Sequence, residues 1–303
     1  MTLLKHISDL KYILIMIYCF VDDFLKGIVR NIRYALERPG KNHPPIKKHN
    51  LSAAELISLA IFRFFTGHKD WKSFYQHIKT YHQKDFPHIS TYQNFLFAVN
   101  KLSSFATLML NGFMNIFQKI TENNRLKFAD STKLEVCRIK REFSHKVCYG
   151  VASKSKSSMG WFYGFKLHII CNELMQILKM KITTGATDDR KGLEMIWNNI
   201  FGTIVADAGY IGRNWQEKAY GLGKILLACV KANMKKIMTE TEYQILKLRQ
   251  RVETVFSVLK LRLGLETTLP RSVLGYQAHY LWCLTAYQLK KFFELVFSKP
   301  LLA

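Results

Sequence analysis

Apolar positions along this chain change period near its middle. Up to about residue 121 they recur at helical spacing; from Leu126 onward runs with a two-residue period alternate with helical ones. Phe20, Phe24, Ile28 and Ile32 share a stripe, predicting one or two amphipathic helices over residues 1–38. Residues 38–49 are basic and hold three of the six prolines, which predicts a loop or linker. Ser52 and Glu55 have capping-box spacing and open a helix with Leu56, Leu59, Ala60 and Phe64 facing inward. After a turn at Gly67, Asp70 can cap a second helix bearing Phe74, Tyr75 and Ile78. Phe86-Pro87 breaks the pattern, Ser90 with Gln93 opens a third helix bearing Phe95, Leu96 and Val99, and residues 103–121 form another. Three short helices suit either a helix-turn-helix, with Ser90–Asn94 entering the major groove, or an ordinary helical bundle.

In the second half, Leu126, Phe128 and Asp130 share one parity, which predicts a short strand ending in a carboxylate. Residues 133–160 predict a long basic connection, mobile at Ser153–Ser158 because it lacks apolar content. Trp161–Ile170 and Leu178–Thr184 predict a hairpin that turns at Asn172-Glu173. Thr187-Asp-Asp-Arg190 starts a helix with Leu193, Ile196, Trp197 and Ile200 at helical spacing; Asp188 and Asp189 read as its cap before they read as metal ligands. The apolar run at Thr203–Ala206 closes on Asp207 and is followed by a helix near Arg213–Tyr220 and a strand at Lys224–Val230, with Lys231, Lys235 and Lys236 in the next loop. Thr239 and Glu242 open a long helix ending at Gly264, and residues 273–296 form a last apolar helix. The sum is an α/β chain: an all-α region over 1–121, then a mixed five-stranded sheet flanked by helices over 122–303.

Charge changes the picture most. The net formal charge of +23, from 45 Lys and Arg against 22 Asp and Glu, favours a polyanionic partner whose counterions binding would release. Apolar residues make up 49% of the chain, too many for a disordered tail. The six cysteines form no CxxC pair, which argues against a zinc site or a disulfide framework and suits a reducing cytoplasm. The apolar run at Tyr12–Phe20 is too short to span a bilayer, and no small-residue cleavage site follows it.

The candidate chemistry is acidic. Asp130 and Asp207 each close an apolar run, and Glu253 lies on the predicted helix. Such carboxylates can hold two Mg²⁺ ions for in-line phosphodiester chemistry, with Asp130 bridging and Asp207 and Glu253 flanking. Arg249, Glu253, Phe256 and Lys260 fall on one helical stripe, so that the two cations flank the acid and can grip phosphates. Lys133, Arg138, Lys140, Arg141, Lys146, Lys154, Lys156 and Lys166 would track a phosphate backbone beside this centre or else belong to a solvated loop. Trp161 could stack on an unpaired base or pack in the core.

These residues carry a resemblance. Phe20-Val-Asp-Asp-Phe24, Ala129-Asp-Ser-Thr132, Cys137–Glu142, the block Ser157–His168, Ala206-Asp-Ala-Gly-Tyr210, and Arg249 with Glu253 and Lys260 resemble the bacterial insertion-sequence transposases of the DDE type, in particular the IS nine-eight-two group. The resemblance implies an RNase H-like catalytic domain behind a helix-turn-helix. It also implies Asp130, Asp207 and Glu253 as the metal triad, and Arg249 and Lys260 as DNA contacts. Where many relatives have Tyr three residues before the Arg, this chain has Leu246. About 45 residues separate Asp207 from Glu253, leaving no room for the domain that some relatives insert there.

The expected activity is therefore Mg²⁺-dependent cleavage at element ends, with Mn²⁺ as substitute, followed by strand transfer into target DNA. The expected setting is a cytoplasmic, nucleoid-associated homodimer. Two alternatives stay open: a metal nuclease of the same fold without strand transfer, and an inactive DNA-binding repressor of the element.

Overall fold

The computed structural model describes residues 2–36, 51–121, 125–157, 160–210, 212–228 and 238–297. The basic segment 38–49, the side chain of Ile32, and Lys231, Lys235 and Lys236 lie outside the described residues. The described residues form two compact units, one of residues 1–107 with 277–286, the other of 108–276 with 287–303.

The first unit is helical. Helix α1 (Thr2–Leu36) buries Leu10, Ile13, Leu14, Ile17 and Val21 against α2 (Ala53–Phe62). This stripe replaces the expected one through Phe20, Phe24 and Ile28, which stay half-buried, because a long apolar helix offers several faces and its packing partner selects one. Helix α2 begins at the expected capping box, with Ser52 and Glu55 each accepting from the other's backbone N–H. It is buried from Leu56 to Phe62 on every side. Asp70 caps α3 (Trp71–Tyr81) by accepting from the Ser73 N–H at 2.8 Å. Helix α4 (Tyr92–Lys101) starts one residue later than expected, at Thr91, without a side-chain cap; the Ser90 carbonyl is instead taken by the Tyr75 hydroxyl at 2.7 Å.

The second unit carries a sheet of six strands among the described residues: β1 (Lys127–Cys137), β2 (Ser153–Ser157), β3 (Gly160–Asn172), β4 (Ile177–Thr184), β5 (Gly202–Ala206) and β6 (Lys224–Ala228). The order is β2-β3-β1-β5-β6, with β4 also on β3. One edge of β3 pairs antiparallel with β1, and the other is shared by β2 at its start and β4 at its end. Strands β1, β5 and β6 run parallel. The hairpin from β3 to β4 turns where Met175 adopts φ 61° and the Asn172 side chain accepts from the Leu174 and Gln176 N–H groups.

Three expectations are corrected here. The sheet has a sixth strand, because Ser153–Ser157 pairs with Gly160–Gly164 and is no mobile loop. An edge strand needs no apolar residues, and its lysines discourage pairing with another chain. Strand β1 does not stop at Asp130 but runs on to Cys137 on its β3 side. Finally, the single long helix is broken into α8 (Glu240–Lys247), a turn at Leu248-Arg249, α9 (Gln250–Ser257) and a π-helical turn at Val258–Arg262. The capping box that starts α8 is present, with Thr239 and Glu242 in their expected parts.

The remaining helices are α5 (Ser103–Ile120), α6 (Asp189–Glu194), α7 (Arg213–Gly221) and α10 (Val273–Phe297). Leu193, Ile196, Trp197 and Ile200 are buried although α6 ends at Glu194. Among the described residues no helix is long and apolar enough to cross a membrane.

Candidate active site

Strands β1 and β5 pair in parallel only at Lys127↔Ile204 and Phe128↔Val205. That register, carried two residues further, brings Asp130 level with Asp207 where the two strands part. Carboxyl ends of parallel strands that separate in this way leave a crevice with no backbone filling it. Asp130 feels this crowding. Burial above all raises its carboxyl to about 6, and Asp207 and Asp189 push in the same direction, while the Ser131 N–H (2.7 Å) and Arg249 oppose.

Glu253 comes to the same place through Arg249. The Arg249 guanidinium donates from one nitrogen to Asp130 Oδ2 at 3.1 Å and from the other to Glu253 Oε1 at 2.5 Å. Arg249 sits at the start of α9, immediately after the break, and pairs with Glu253 at the i,i+4 spacing of a helix. Within α9, Glu253 is exposed and Phe256 buried. Lys260 lies on the π-helical turn, where its ammonium donates to the Lys133 carbonyl at 2.6 Å and pairs with Glu266 at 3.1 Å.

A second ring of side chains surrounds the acids, and only part of it was foreseen. Asp188 is the α6 cap, accepting from the Arg190 N–H at 3.0 Å. Asp189 instead turns inward and accepts from the Ser131 hydroxyl at 2.6 Å and from Lys166 at 3.0 Å. Lys166 also donates to the Thr187 carbonyl, so it is drawn into the protein and not displayed on a surface. Tyr210 is buried; burial, then Asp130 and Asp189, push its phenol up. Ser131 and Asp189 thus tie the middle of β1 to the start of α6. The one signal for Ser131 and Tyr210 was their position beside Asp130 and Asp207.

Among the described residues, no three Asp, Glu, His or Cys side chains converge closely enough to hold a metal ion. The donor chemistry nonetheless fits a hard divalent cation, since Asp130, Asp207 and Glu253 offer carboxylate oxygens.

The other expected DNA contacts lie elsewhere. Lys140 and Arg141 are exposed on a 3₁₀ turn (Ile139–Ser144) beyond the Cys137 end of β1. Trp161 also belongs to that end, because Tyr163 pairs with Cys137 whereas Ile169 pairs with Asp130. It is not beside the acids, and at 56% exposure it is not in the core. Lys154 and Lys156 lie over its ring at 5.5 and 6.0 Å.

The family model described as "Transposase DDE domain" matches residues 120–273, just over half of the chain. Among solved structures, the chain is similar to the piggyBac transposase synaptic complex with hairpin DNA, at 9% identity and a TM-score of 0.48, over 87% of this chain and 71% of that one. It is also similar to the Mos1 transposase paired-end complex with the left transposon end, at 9% identity and a TM-score of 0.21, over 89% and 86%. No curated protein matches the chain.

Proposed function

Because the chain belongs to the family defined by the transposase DDE domain, we propose that it cleaves DNA at the ends of an insertion sequence and joins them to target DNA. The observation that carries this reading is the parallel register that levels Asp130 with Asp207, with Arg249 linking Asp130 to Glu253.

In this reading Asp130, Asp207 and Glu253 hold the divalent ions. Two Mg²⁺ ions, when bound, supply activation of the attacking oxygen and stabilisation of the leaving one. The chain's own residues do the positioning. The Ser131 N–H, donating to Asp130 Oδ1 at 2.7 Å, orients that carboxylate before substrate arrives. Arg249 balances Asp130 and Glu253, and is within reach to grip a phosphate once their charge is met otherwise. Lys260, tied to the β1 backbone, presents a second cation on the same side of the helix break. Water attacks the phosphorus, its oxygen stays on the 5′-phosphate, and the released 3′-oxygen takes up a proton. The resulting 3′-hydroxyl then attacks a target phosphodiester in the same manner, so no covalent protein intermediate forms.

The wider reading assigns the catalytic part an RNase H-like fold over residues 122–303, in the manner of the IS nine-eight-two group. Residues 1–121 are a DNA-binding region whose α2–α4 serve as a helix-turn-helix. The enzyme acts as a homodimer on two element ends in a bacterial cytoplasm.

The test is cleavage of supercoiled plasmid carrying the element ends with Mg²⁺, comparing wild type with Asp130→Asn. Nicking and end joining by wild type, with binding but no cutting by the variant, supports the reading. Equal binding and no cutting by either makes the chain a DNA-binding repressor. Cutting by the variant removes Asp130 from the triad. Cleavage without joined products leaves a metal nuclease.

A further inference from the structure

Seven residues beyond Asp130, about 23 Å along β1, the strand ends at Cys137 beside a cavity of about 530 Å³. That is room for one nucleotide or a little more. Arg138, Arg141, Lys146 and Arg271 line it, and no carboxylate does. Among the described residues none of these four cations pairs with an acid. The nearest acid in sequence, Glu142, is turned to Lys154 at 2.8 Å.

The walls are held in place. The Tyr276 hydroxyl donates to the Val136 carbonyl at 3.0 Å, and the Tyr163 hydroxyl to the Cys148 carbonyl at 3.3 Å. The opposite wall, Thr268 to Arg271, follows Glu266, which accepts from the Glu135 N–H at 3.0 Å and pairs with Lys260. Val136 and Leu269 give the cavity an apolar side. His145 lines it as well, with its Nε2 buried and without a hydrogen-bond partner.

Exposed aromatic rings gather at the same end of the sheet. Phe143 lies between the lining residues Arg141 and Ser144 and is 94% exposed, more than any other large apolar side chain among the described residues. Tyr149, two residues past the lining Val147, is 83% exposed. Trp161 stands on β3 under Lys154 and Lys156. Exposed apolar side chains scattered singly are ordinary, but several gathered in one place mark an interaction site. Cations that neutralise phosphates, interleaved with rings on which bases can stack, are the chemistry of single-strand recognition. A duplex would meet the cations but could not offer its stacked base faces to the rings.

We propose that this cavity is a binding site for unpaired DNA: one nucleotide enters it, with its phosphate against Arg138 and Arg271, and a neighbouring base stacks on Phe143. That the polymer is DNA rests on the transposase reading. The site itself lies too far from Asp130 to share a phosphate with it.

The experiment measures fluorescence anisotropy of labelled (dT)10 and of a blunt ten-base-pair duplex with the full chain. The variants are Arg271→Glu, Phe143→Ala and, as a control of equal charge change on β4, Lys181→Glu. All three positions are exposed, so the fold is retained. The expected result is at least tenfold weaker (dT)10 binding for Arg271→Glu and about fivefold or more for Phe143→Ala, with Lys181→Glu within about twofold. Duplex binding should change less than (dT)10 binding in both pocket variants. Equal losses for Arg271→Glu and Lys181→Glu overturn the proposal, because net charge then explains them. Equal losses on (dT)10 and duplex, or an unaffected Phe143→Ala, also overturn it. Plasmid cleavage by wild type separates the two readings. Pocket-dependent (dT)10 binding without cleavage leaves the site standing and removes the transposase activity, whereas cleavage with the pocket variants binding normally removes only the site.

Discussion

Asp130 and Arg249 meet at 3.1 Å although more than a hundred residues separate them in sequence, and the contact is made at a break between two helices. The guanidinium is the counter-charge of a carboxyl that burial would otherwise disfavour, and it does not fully offset that burial, since Asp130 is still raised to about 6. The site is therefore built at a cost to the fold.

The first prediction follows from that sign. An acid whose folded value lies above its unfolded value weakens the fold wherever it is ionised. The penalty, of order 3 kcal/mol above about pH 6, disappears as pH falls through the unfolded value near 4. Asp130→Asn should consequently unfold at higher urea than wild type at pH 7.5 without metal, and the gap should close by pH 4. A variant no more stable than wild type at pH 7.5 would contradict the assigned burial.

Divalent ions should do what the substitution does. Mg²⁺ at millimolar concentration should raise the thermal midpoint of wild type, since a ligand of the native state stabilises it by mass action. Asp130→Asn and Asp207→Asn should each lose most of that rise. If Asp207→Asn responds as wild type does, Asp207 is not a ligand.

Arg249 has a separate signature. Arg249→Ala leaves the Asp130 carboxylate without its nearest positive charge, so the Asp130 carboxyl should titrate above 6 in a carbon-13 NMR experiment, and cleavage should fall. Arg249→Lys should restore part of the titration shift but less of the cleavage, because an ammonium cannot donate in fork geometry to two acids at once. An unchanged titration in Arg249→Ala would rule out the pairing in solution.

His168 gives the fold an acid-side weakness. Its ring is buried under α6 and bonded to the Thr183 hydroxyl at 2.9 Å, and burial pulls its value down to about 4. A base depressed in this way contributes its full stability above its unfolded value near 6.5, and that contribution is lost as pH falls toward 4. The urea midpoint of wild type should fall between pH 7 and 4.5 more steeply than that of His168→Gln. The packing is equally tight: a Cβ on Gly192 would stand 2.2 Å from the His168 ring. Gly192→Ala should accordingly cost about 1–3 kcal/mol.

Much of this molecule is readable locally. The boxes at Ser52/Glu55 and Thr239/Glu242 and the cap at Asp70 are found where their spacing predicts, because a helix start satisfies its free N–H groups with side chains three residues away. Strands β3 and β4 announce themselves by apolar and aromatic runs, and the turn between them by two polar residues. Strand β2 does not, because Ser-Lys-Ser-Lys-Ser has no preference of its own and becomes a strand only when β3 offers it an edge. The break at Leu248-Arg249 also escapes, since nothing in those residues ends a helix by propensity. Trp161 stays open in the sequence for a related reason: an aromatic on a largely buried strand reads as base-stacking or core until the register shows which end of the sheet it occupies and its exposure removes the core reading.

The sequence by itself determined which residues could do the chemistry: three acids at the ends of apolar runs or on a helix, with two cations at fixed offsets from the third. Only the tertiary structure decided how they meet. The register of β1 on β5 levels Asp130 with Asp207, Arg249 at the start of α9 reaches both Asp130 and Glu253, and Asp189 leaves capping to Asp188 and turns inward to Ser131 and Lys166. Residue type and short-range spacing are written in the chain because they act through neighbours a few residues away. Register, strand partners and the direction of a charged side chain depend on contacts a hundred residues apart, which exist only once the sheet is assembled.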